Sequence, residues 1–332
     1  MIFCCQGELN LADKELVRHN LLVRISRLYY VCGMTHQEIA DREGLSRIKV
    51  TRLLKEAVEK KIVEFHIKDP IINTLELEEQ FRKTFNLKRV IITPAPQDPA
   101  DIYDILGRFA ADFLLRNLHS EINIGIDWGR TLFGMIPYLS DVTIDNIKII
   151  TLTGGLASNP KQPNPYIVAS SIADKLGGTA FYPIIPAIIE NKEIKNIMLK
   201  EKSYKDIADL WKKIDIAFVS VGIITPETGI YYSLAYPPKE VAAVKKKGAI
   251  GDILTRPFDK DGKLVETSFT DRIITIDFSS FKKIPLVVGI AGGDRKVEAI
   301  LGALKSGYLN ALITDEACAQ AVLEVNKSVQ LK

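Results

Sequence analysis

Residues 35–54 read THQEIADREGLSRIKVTRLL, and this stretch predicts two short helices joined by a tight turn. Thr35 followed by Glu38 forms a capping box, which starts the first helix. Gly44 supplies the turn, because glycine adopts positive φ at little steric cost. Ser46 then caps a second, basic helix. A helix, a glycine turn and a second helix together predict a helix-turn-helix motif.

The second helix is predicted to have one apolar and one basic face, because successive helical residues turn by about 100°. The inward set is Val50, Leu53, Leu54, Ala57 and Val58. The outward set is Arg47, Ile48, Lys49, Thr51, Arg52 and Lys55. Arginine can donate two hydrogen bonds to guanine, isoleucine can contact a thymine methyl group, and hydroxyl or lysine groups can hold phosphates. We therefore predict that the outward set, with Ser46 and Thr35, contacts double-stranded operator DNA.

The positive charge of the chain is concentrated at this helix. Residues 46–61 contain six lysines and arginines against two glutamates, a net charge of +4, while the whole chain carries +3. A solvated basic face on a structural helix is the plain alternative. The agreement in register of the caps, the turn glycine, the small Ala40 and the basic helix favours DNA binding. Glu43 stands where an apolar residue would be usual, and we expect it at an exposed helix end.

The flanking segments complete a predicted DNA-binding domain over residues 1–69. A helix is predicted over Glu15–Val31, where apolar residues recur at helical spacing, and Gly33 ends it. The imperfect alternation in Ile62–Ile67 predicts a short wing strand, in which His66 is structural.

A linker is predicted over residues 70–88, after the break at Asp69-Pro70. It contains a helical stretch, Asn73–Phe85. The sequence leaves two interpretations open for this helix: it packs against a partner subunit, or it covers its own domain.

The length and composition of the chain restrict its class. At 332 residues, with 47% hydrophobic and 26% charged side chains, it holds about two globular domains. No apolar run approaches the ~20 residues of a membrane span, and no signal peptide is visible, so we predict a cytoplasmic protein with no membrane partner. Four cysteines without a CxxC pair indicate neither a disulfide scaffold nor zinc. Residues 120–332 contain no histidine, and we predict no metal, no cofactor and no catalytic residue.

Residues 89–332 alternate apolar strands with amphipathic helices, which predicts an α/β domain with a parallel sheet. The predicted strands are Arg89–Thr93, Ile122–Asp127, Lys148–Thr153, Thr179–Ile184, Asp215–Val221, Arg272–Ile276, Leu286–Ala291 and Ala311–Thr314. The predicted helices include Ala100–Leu118, Tyr166–Leu176, Arg295–Lys305 and Asp315–Val325.

Four of these strands end in small-residue loops, and ligands of open parallel sheets bind at that edge. Backbone N–H groups of glycines can approach an anion, and cationic or hydroxyl side chains add donors. The predicted phosphate site comprises Gly129, Arg130, Thr131, Gly154, Gly155, Gly222, Gly292, Gly293 and Lys296. Asp127, Asp252 and Asn159 are candidate partners for sugar hydroxyl groups, because carboxylates and amides accept hydrogen bonds. A glycine that ends a strand for steric reasons is the alternative for each loop.

The residues resemble the SorC family of bacterial sugar-responsive transcriptional regulators. The resemblance covers nearly all of the chain beyond about residue 15. The motifs that carry it are Gly44–Arg47 with Val50–Leu54, Trp128–Thr131, Gly248–Ile253, Asp259–Gly262, Ala291–Gly293 with Lys296, and Gly307–Asp315. It implies a Rossmann-like effector domain similar to phosphosugar isomerases, a phosphorylated sugar as ligand, and dimers or tetramers on DNA.

The sequence thus favours a transcriptional regulator with a winged helix-turn-helix domain and a sugar-phosphate effector domain over residues 89–332. The alternative is a phosphosugar isomerase or deaminase with Asp127 or Asp252 as the base. A purely architectural DNA-binding protein would leave the large α/β domain unexplained.

Overall fold

The computed structural model describes residues 11–65, 74–142, 144–155, 164–225 and 237–330. The chain divides into two compact units, Met1–Pro70 and Ile71–Lys332. The first unit is helical and the second is an α/β domain.

Residues 11–65, the described part of the first unit, form three α-helices in the order that the sequence predicts. They are α1 (Leu11–Ser26), α2 (His36–Glu43) and α3 (Arg47–Glu59), and a π-helical turn, Arg27–Val31, follows α1. One face of each helix supplies the core, because apolar residues recur on that face. The buried residues of this core are Leu22, Ile25, Leu28, Ile39, Ala40, Val50, Leu53, Leu54 and Ala57.

The start and end of α2 are held as the sequence predicts. The hydroxyl group of Thr35 accepts a hydrogen bond from the Glu38 amide at 3.3 Å, and the Glu38 carboxylate accepts from the Thr35 amide at 2.7 Å. Gly44 ends the helix with φ +63°, in the left-handed region that favours glycine. The capping box and the glycine turn therefore set the entry and exit of α2.

Glu43 does not lie at an exposed helix end, so this expectation was wrong. Only 11% of its side chain is exposed, and Arg24 on α1 donates to both carboxylate oxygens at 2.9 and 3.0 Å. A bidentate arginine satisfies both oxygens at once. Pairing with a residue 19 positions away in sequence explains why a carboxylate is tolerated here.

The predicted wing strand is wrong over residues 62–65, the part of it that the structure describes, where no strand forms. The amides of Ile62 and Val63 both donate to the Ala57 carbonyl, at 2.8 and 3.2 Å, and Lys61 has φ +56°. These groups close the C-terminal end of α3 and are not available to a strand partner. The remaining residues of the predicted strand, including His66, lie outside the described residues.

The linker helix packs on its own domain. This helix, α4 (Thr74–Phe85), buries Phe81 completely in a core shared with the sheet. The Glu78 carboxylate also accepts a hydrogen bond from the Ile92 amide at 2.9 Å. The second of the two interpretations left open by the sequence is therefore observed.

The second unit is built on a seven-stranded sheet in which every pair of neighbours is parallel. Its strands are β1 (Arg89–Thr93), β2 (Asn123–Ile126), β3 (Lys148–Thr151), β4 (Thr179–Phe181), β5 (Ile216–Ser220), β9 (Leu286–Ile290) and β10 (Ala311–Asp315). The three remaining strands, β6 (Gly222–Ile223), β7 (Gly251–Ile253) and β8 (Arg256–Phe258), form a small antiparallel sheet. The sequence did not predict these strands, because two or three residues are too few to show alternation.

The helices of the second unit follow the strands. They are α5 (Ile102–Arg116), α6 (Arg130–Gly134), α7 (Pro165–Leu176), α8 (Lys192–Met198), α9 (Lys202–Trp211), α10 (Pro238–Lys246), α11 (Phe278–Phe281), α12 (Val297–Lys305) and α13 (Glu316–Gln330). Apolar cores lie on both faces of the sheet: Ile149 and Phe218 point into one core, and their neighbours Ile150 and Val219 point into the other. In the described part of the chain, no helix combines the length and apolar character needed to cross a membrane.

The predicted strand Arg272–Ile276 is wrong. With the described residues this segment makes two isolated bridges, Ile188 with Ile273 and Thr153 with Thr275, and no strand pairing. The amide of Ile274 donates to the Ala187 carbonyl, whereas the amide of Ile276 donates to the Leu152 carbonyl. Because the segment bonds to two different loops in turn, no continuous ladder forms.

The strand order of the large sheet is β1-β10-β9-β5-β2-β3-β4. From β2 the chain continues through β3 and β4 to one edge, and β5 then pairs with the other side of β2. This reversal between β2 and β5 is a topological switch point, the place in open parallel sheets where the ligand-binding crevice lies, at the carboxyl ends of the strands.

Candidate functional site

The outward face of α3 is exposed as predicted from the helical spacing. The exposed residues are Ser46, Arg47, Ile48, Lys49, Thr51, Arg52 and Lys55. Ile48 is 71% exposed, although it is apolar. On the other face, Val50, Leu53 and Leu54 are buried in the core. Packing of one face therefore fixes which side chains the other face presents.

Three cations on this face have no partner within the described residues: no hydrogen bond or ion pair there involves the side chains of Arg47, Lys49 or Arg52. Lys55, by contrast, lies 3.9 Å from Glu59. Unpaired, exposed cations leave a local positive potential that an anionic partner can neutralise.

The hydroxyl groups of the predicted DNA-binding set have structural partners. Ser46 caps α3, with its hydroxyl group accepting from the Lys49 amide at 3.2 Å. The hydroxyl group of Thr51 lies 3.2 Å from Nδ1 of His36 and donates to the Arg47 carbonyl at 3.1 Å. With Thr35 in the capping box, these groups position the two helices, and their contact with phosphates stays a prediction.

At the switch point, the structure places Asp127 directly after β2 and almost wholly buried, with 2% exposed. One carboxylate oxygen accepts a hydrogen bond from the Ser220 amide at 3.3 Å. The other oxygen and the hydroxyl group of Ser220 have no partner within the described residues. Burial raises the pKa of Asp127 to about 8, helped by the nearby charge of Asp252.

Asp252 enters the same crevice from the small antiparallel sheet, where it pairs with Gly222. A Cβ atom on Gly222 would lie 2.0 Å from a carboxylate oxygen of Asp252, so only glycine leaves room for that side chain. Burial raises the pKa of Asp252 to about 7, while the charge of Lys296 opposes the shift. Gly222, which begins β6, therefore makes space for a carboxyl group.

Lys296 supplies the cation of this cluster. Its Nζ atom donates to the Val221 carbonyl at 2.8 Å. Desolvation lowers the pKa of Lys296 to about 8, Asp252 opposes this shift, and the charge of Arg130 adds to it. Asp127, Asp252, Lys296 and Arg130 thus act on one another at the carboxyl ends of the central strands.

The loop after β2 needs glycine for a steric reason. Gly129 has φ +142°, and a Cβ atom there would lie 2.7 Å from the Ser220 hydroxyl oxygen. Arg130 begins α6, is exposed, and stacks its guanidinium group 4.2 Å from the centre of the Tyr103 ring. Thr131 is buried. The arginine is therefore the group of this loop that an incoming ligand reaches.

The loop after β9 approaches a carboxylate that the sequence did not single out. The amide of Gly293 donates to Asp315 Oδ2 at 2.7 Å, and a Cβ atom on Gly292 would lie 2.3 Å from the same oxygen. Asp315 ends β10, so a position at the carboxyl end of a neighbouring strand was the signal that could have identified it. The amide predicted to bind phosphate has this internal partner.

The amides of the loop after β3 also have internal partners. The Gly154 amide donates to the Ile274 carbonyl at 3.1 Å, and the Gly155 amide donates to the Ile185 carbonyl at 2.8 Å. A Cβ atom on either glycine would lie within 2.8 Å of a neighbouring residue. Close packing accounts for both glycines, and ligand binding by their amides stays a prediction. Asn159, a further candidate, lies outside the described residues.

Two further hydroxyl groups at this edge were missed from the sequence. The side-chain oxygens of Thr151 and Thr153 are buried without a partner within the described residues. Buried donors without partners are costly unless water or a ligand satisfies them. A hydroxyl residue at the end of a buried strand was the available signal. The described residues contain no group of three or more histidine, cysteine, aspartate or glutamate side chains placed to hold a metal.

Comparison with known proteins identifies the family. Residues 69–324 match the family model described as "Putative sugar-binding domain". The chain is 32% identical to the transcriptional regulator LsrR of Escherichia coli K12, over 94% of this chain and 97% of that protein. It is 28% identical to the deoxyribonucleoside regulator of Bacillus subtilis, over 94% of this chain and 99% of that protein.

A solved structure extends this similarity to the whole fold. The full-length sorbitol operon regulator SorC from Klebsiella pneumoniae superimposes with a TM-score of 0.72 at 27% identity, covering 92% of this chain and 98% of the other. The helical first unit and the parallel-sheet second unit are both included in that coverage. The chain therefore belongs to the SorC family of bacterial sugar-responsive transcriptional regulators.

Proposed function

We propose that this protein is a cytoplasmic regulator that binds operator DNA through a helix-turn-helix formed by α2 and α3. A phosphorylated sugar or sugar alcohol in the crevice of the second unit controls that binding. The observation that carries the proposal is the row of exposed, unpaired cations on the face of α3 opposite its core.

The first unit supports DNA binding through geometry and charge together. A recognition helix enters the major groove with its N-terminal residues, and Arg47, Ile48 and Arg52 occupy that part of α3. Arginine reads guanine through two hydrogen bonds, while lysine and hydroxyl groups hold the phosphates. A dimer would place two such helices about one DNA turn apart on a near-palindrome, and we propose a dimer or tetramer for that reason.

The second unit supports binding of a sugar phosphate. Lys296 and Arg130 are cations that can hold a phosphate group. Asp127, Asp252 and Ser220 are buried polar groups that can bind sugar hydroxyl groups. No cofactor is needed for binding alone. Relatives named for the sorbitol operon and for deoxyribonucleosides support a carbohydrate-derived ligand for this chain.

The two functions are coupled if the ligand has different affinities for the DNA-competent and DNA-incompetent arrangements of the assembly. Such a ligand shifts the population by the free energy of its preference. A ligand that prefers the DNA-competent arrangement promotes DNA binding, and a ligand that prefers the other arrangement weakens it.

The DNA-binding part is tested with Arg52→Ala. Loss of a base-reading arginine costs about 1–3 kcal/mol, so the Kd for DNA upstream of the protein's own gene should rise about tenfold or more. Fluorescence anisotropy measures this Kd. Arg116→Ala removes an arginine whose side chain is exposed on α5 and serves as the control. Equal affinity of Arg52→Ala and the wild type would exclude this face of α3 as the DNA-reading surface.

The effector part is tested with Lys296→Ala. A thermal-shift screen against phosphorylated pentoses, hexoses and polyols first identifies a stabilising compound. In Lys296→Ala this stabilisation and the effect of the compound on DNA binding should disappear, while DNA binding itself stays. Lys305→Ala, at an exposed lysine of α12, is the control. A normal response in Lys296→Ala would place the phosphate elsewhere.

A second candidate function is supported by the two raised carboxyl pKa values. Acids with a pKa of about 7 and about 8 can exchange protons at neutral pH, as the base of a phosphosugar isomerase or deaminase must. Incubating the purified protein with sugar phosphates and following product formation tests this activity. Turnover that disappears in Asp127→Asn or Asp252→Asn would establish an enzyme, and absence of turnover would leave these groups as ligand-binding groups.

A further inference from the structure

A cavity of about 290 Å³ lies in the α/β unit. Residues of α8, α9, β8 and the stretch 273–278 form its walls. It shares no lining residue with the crevice of Asp127, Asp252 and Lys296. Its volume is close to the lower end of the range for small-molecule sites.

Two cationic groups, Arg256 and Lys195, line this cavity, and within the described residues only Arg256 has a carboxylate partner. The guanidinium group of Arg256 is only 17% exposed, and its terminal nitrogen donates to Glu266 at 2.5 Å. Its Nε–H group is buried and has no hydrogen-bond partner within the described residues. Lys195 makes one hydrogen bond, from Nζ to the Asp271 carbonyl at 2.7 Å, and no ion pair within that part of the chain.

Two nearby carboxylates have partners of their own, and one of them, Asp277, lines the cavity. Asp271 pairs with Lys192 at 2.7 Å, and the Asp277 carboxylate accepts from the Ser280 amide at 2.8 Å. The positive charge of Arg256 also lowers the pKa of Lys195, after burial as the larger cause. An anion between Arg256 and the half-buried Lys195 would relieve their repulsion and satisfy the free Nε–H donor of Arg256, so this side of the cavity is suited to a negatively charged group.

The rest of the wall selects the kind of anion. Leu199, Leu264, Ile276 and the ring of Phe278 make most of the lining apolar. The hydroxyl group of Thr275 is already engaged, donating to the Leu152 carbonyl at 2.9 Å. The cavity therefore provides two charged donors, and apart from Tyr204, Thr275 and Asp277 the rest of its wall is apolar.

We propose that this cavity binds a small organic carboxylate, whose carboxylate group lies between Arg256 and Lys195 and whose apolar part packs on Phe278 and Leu264. An arginine beside a lysine matches the two oxygens of a carboxylate. A phosphate dianion, with a further charge and a third exposed oxygen, would leave oxygen atoms against apolar side chains.

The test uses benzoate as the probe and the full chain in saturation-transfer NMR and calorimetry, with benzamide as the uncharged analogue. Benzoate should bind and benzamide should not. Lys195→Met and Arg256→Met should each weaken benzoate binding at least tenfold. Lys305→Met removes an exposed lysine that does not line the cavity and should bind benzoate as the wild type does.

Two more variants test whether benzoate binds in this cavity. Leu199→Trp fills the cavity without changing its charge and should also abolish binding. Lys296→Met removes the cation of the separate crevice and should leave benzoate binding unchanged, whatever its effect on sugar phosphates. Melting temperatures confirm that each variant is folded.

Three outcomes would overturn the proposal. They are absence of benzoate binding to the wild type, unchanged binding in Lys195→Met, Arg256→Met and Leu199→Trp, and loss of binding in Lys296→Met alone. Inorganic phosphate that binds here while benzoate does not would show an anion site but contradict the carboxylate assignment.

Discussion

The two units form their candidate sites in different ways. In the first unit, the DNA-facing residues lie on one helix, and that helix is positioned by a cap, a glycine turn and an apolar stripe that are close together in sequence. In the second unit, Asp127, Ser220, Asp252 and Lys296 come from separate elements and meet only through the strand order of the sheet. A site on one helix can be found from periodicity, whereas a site at strand ends depends on which strands are neighbours.

The units also use charge differently. Arg47, Lys49 and Arg52 of α3 are exposed and have no partner within the described residues, so their effect is a long-range attraction that salt screens. The carboxyl groups of the crevice are buried, so their effect is a change in their own protonation. This contrast predicts different responses of the two units to substitution and to pH.

The largest effect is expected from Leu53→Ala in the first unit. Leu53 is 1% exposed in the small core, and a buried leucine truncated to alanine costs about 2–5 kcal/mol. We expect DNA binding to be lost while stabilisation by the effector persists. Both tryptophans, Trp128 and Trp211, lie in the second unit, so their fluorescence should follow an unchanged urea transition.

Leu16→Ala, at a leucine of α1 that is 59% exposed, provides the comparison and should keep DNA binding. If Leu53→Ala also shifts the tryptophan transition, the two units do not fold independently.

The next effect is expected from pH, through two carboxyl groups of the second unit. The folded-state pKa values of Asp127 and Asp252, about 8 and about 7, lie above the value of about 3.9 for an unfolded aspartate. The folded state therefore binds more protons, and its stability falls as the pH rises from about 4 through 7 and 8. Each carboxyl group contributes a slope of at most about 1.4 kcal/mol per pH unit.

Urea unfolding followed by tryptophan fluorescence at pH 5, 6 and 7 measures this slope. Lys296, with its pKa lowered to about 8, titrates above that range. Asp127→Asn should make the pH dependence shallower, and Asp141→Asn, at an exposed carboxyl group, should leave it unchanged. A slope that is the same in wild type and Asp127→Asn would show that Asp127 is ionised in the folded protein.

The smallest effect is expected from Thr35→Ala, which removes the hydroxyl group of the capping box. The loss of such a cap costs about 1 kcal/mol. Hydrogen exchange of the α2 amides should accelerate, and the Kd for DNA should rise only a few-fold. Thr35→Ser keeps the hydroxyl oxygen and should behave nearly as the wild type. A large loss of DNA affinity in Thr35→Ala without faster exchange would instead indicate a direct contact with DNA.

The sequence predicted the elements of the first unit well, because their signals are local. The capping box at Thr35 and the cap at Ser46 are interactions over three residues, so they can be identified from spacing alone. The wing strand failed because the amides of Ile62 and Val63 close the end of α3. The position of Glu43 was misjudged because its partner, Arg24, lies on another helix.

In the second unit, seven of the eight predicted strands exist, because a buried parallel strand is a continuous apolar run. The eighth, Arg272–Ile276, is equally apolar, but it bonds to two loops rather than to one strand. An apolar segment is expected to be buried, but its sequence does not show which segment it hydrogen-bonds to. The sequence likewise does not show that the amides of Gly154, Gly155 and Gly293 donate hydrogen bonds to other groups of the protein.

From its residues alone, this chain specifies two domains, a helical pair with a basic outer face and an α/β unit with glycines at its strand ends, because periodicity, caps and turns are properties of neighbouring residues. Three features arise only once the sheet is assembled. Asp127 comes close to Asp252 and Lys296, the glycine amides donate hydrogen bonds to other parts of the protein, and a cavity forms beside Arg256. Strand order brings together residues that are far apart in the chain, and burial then determines their protonation.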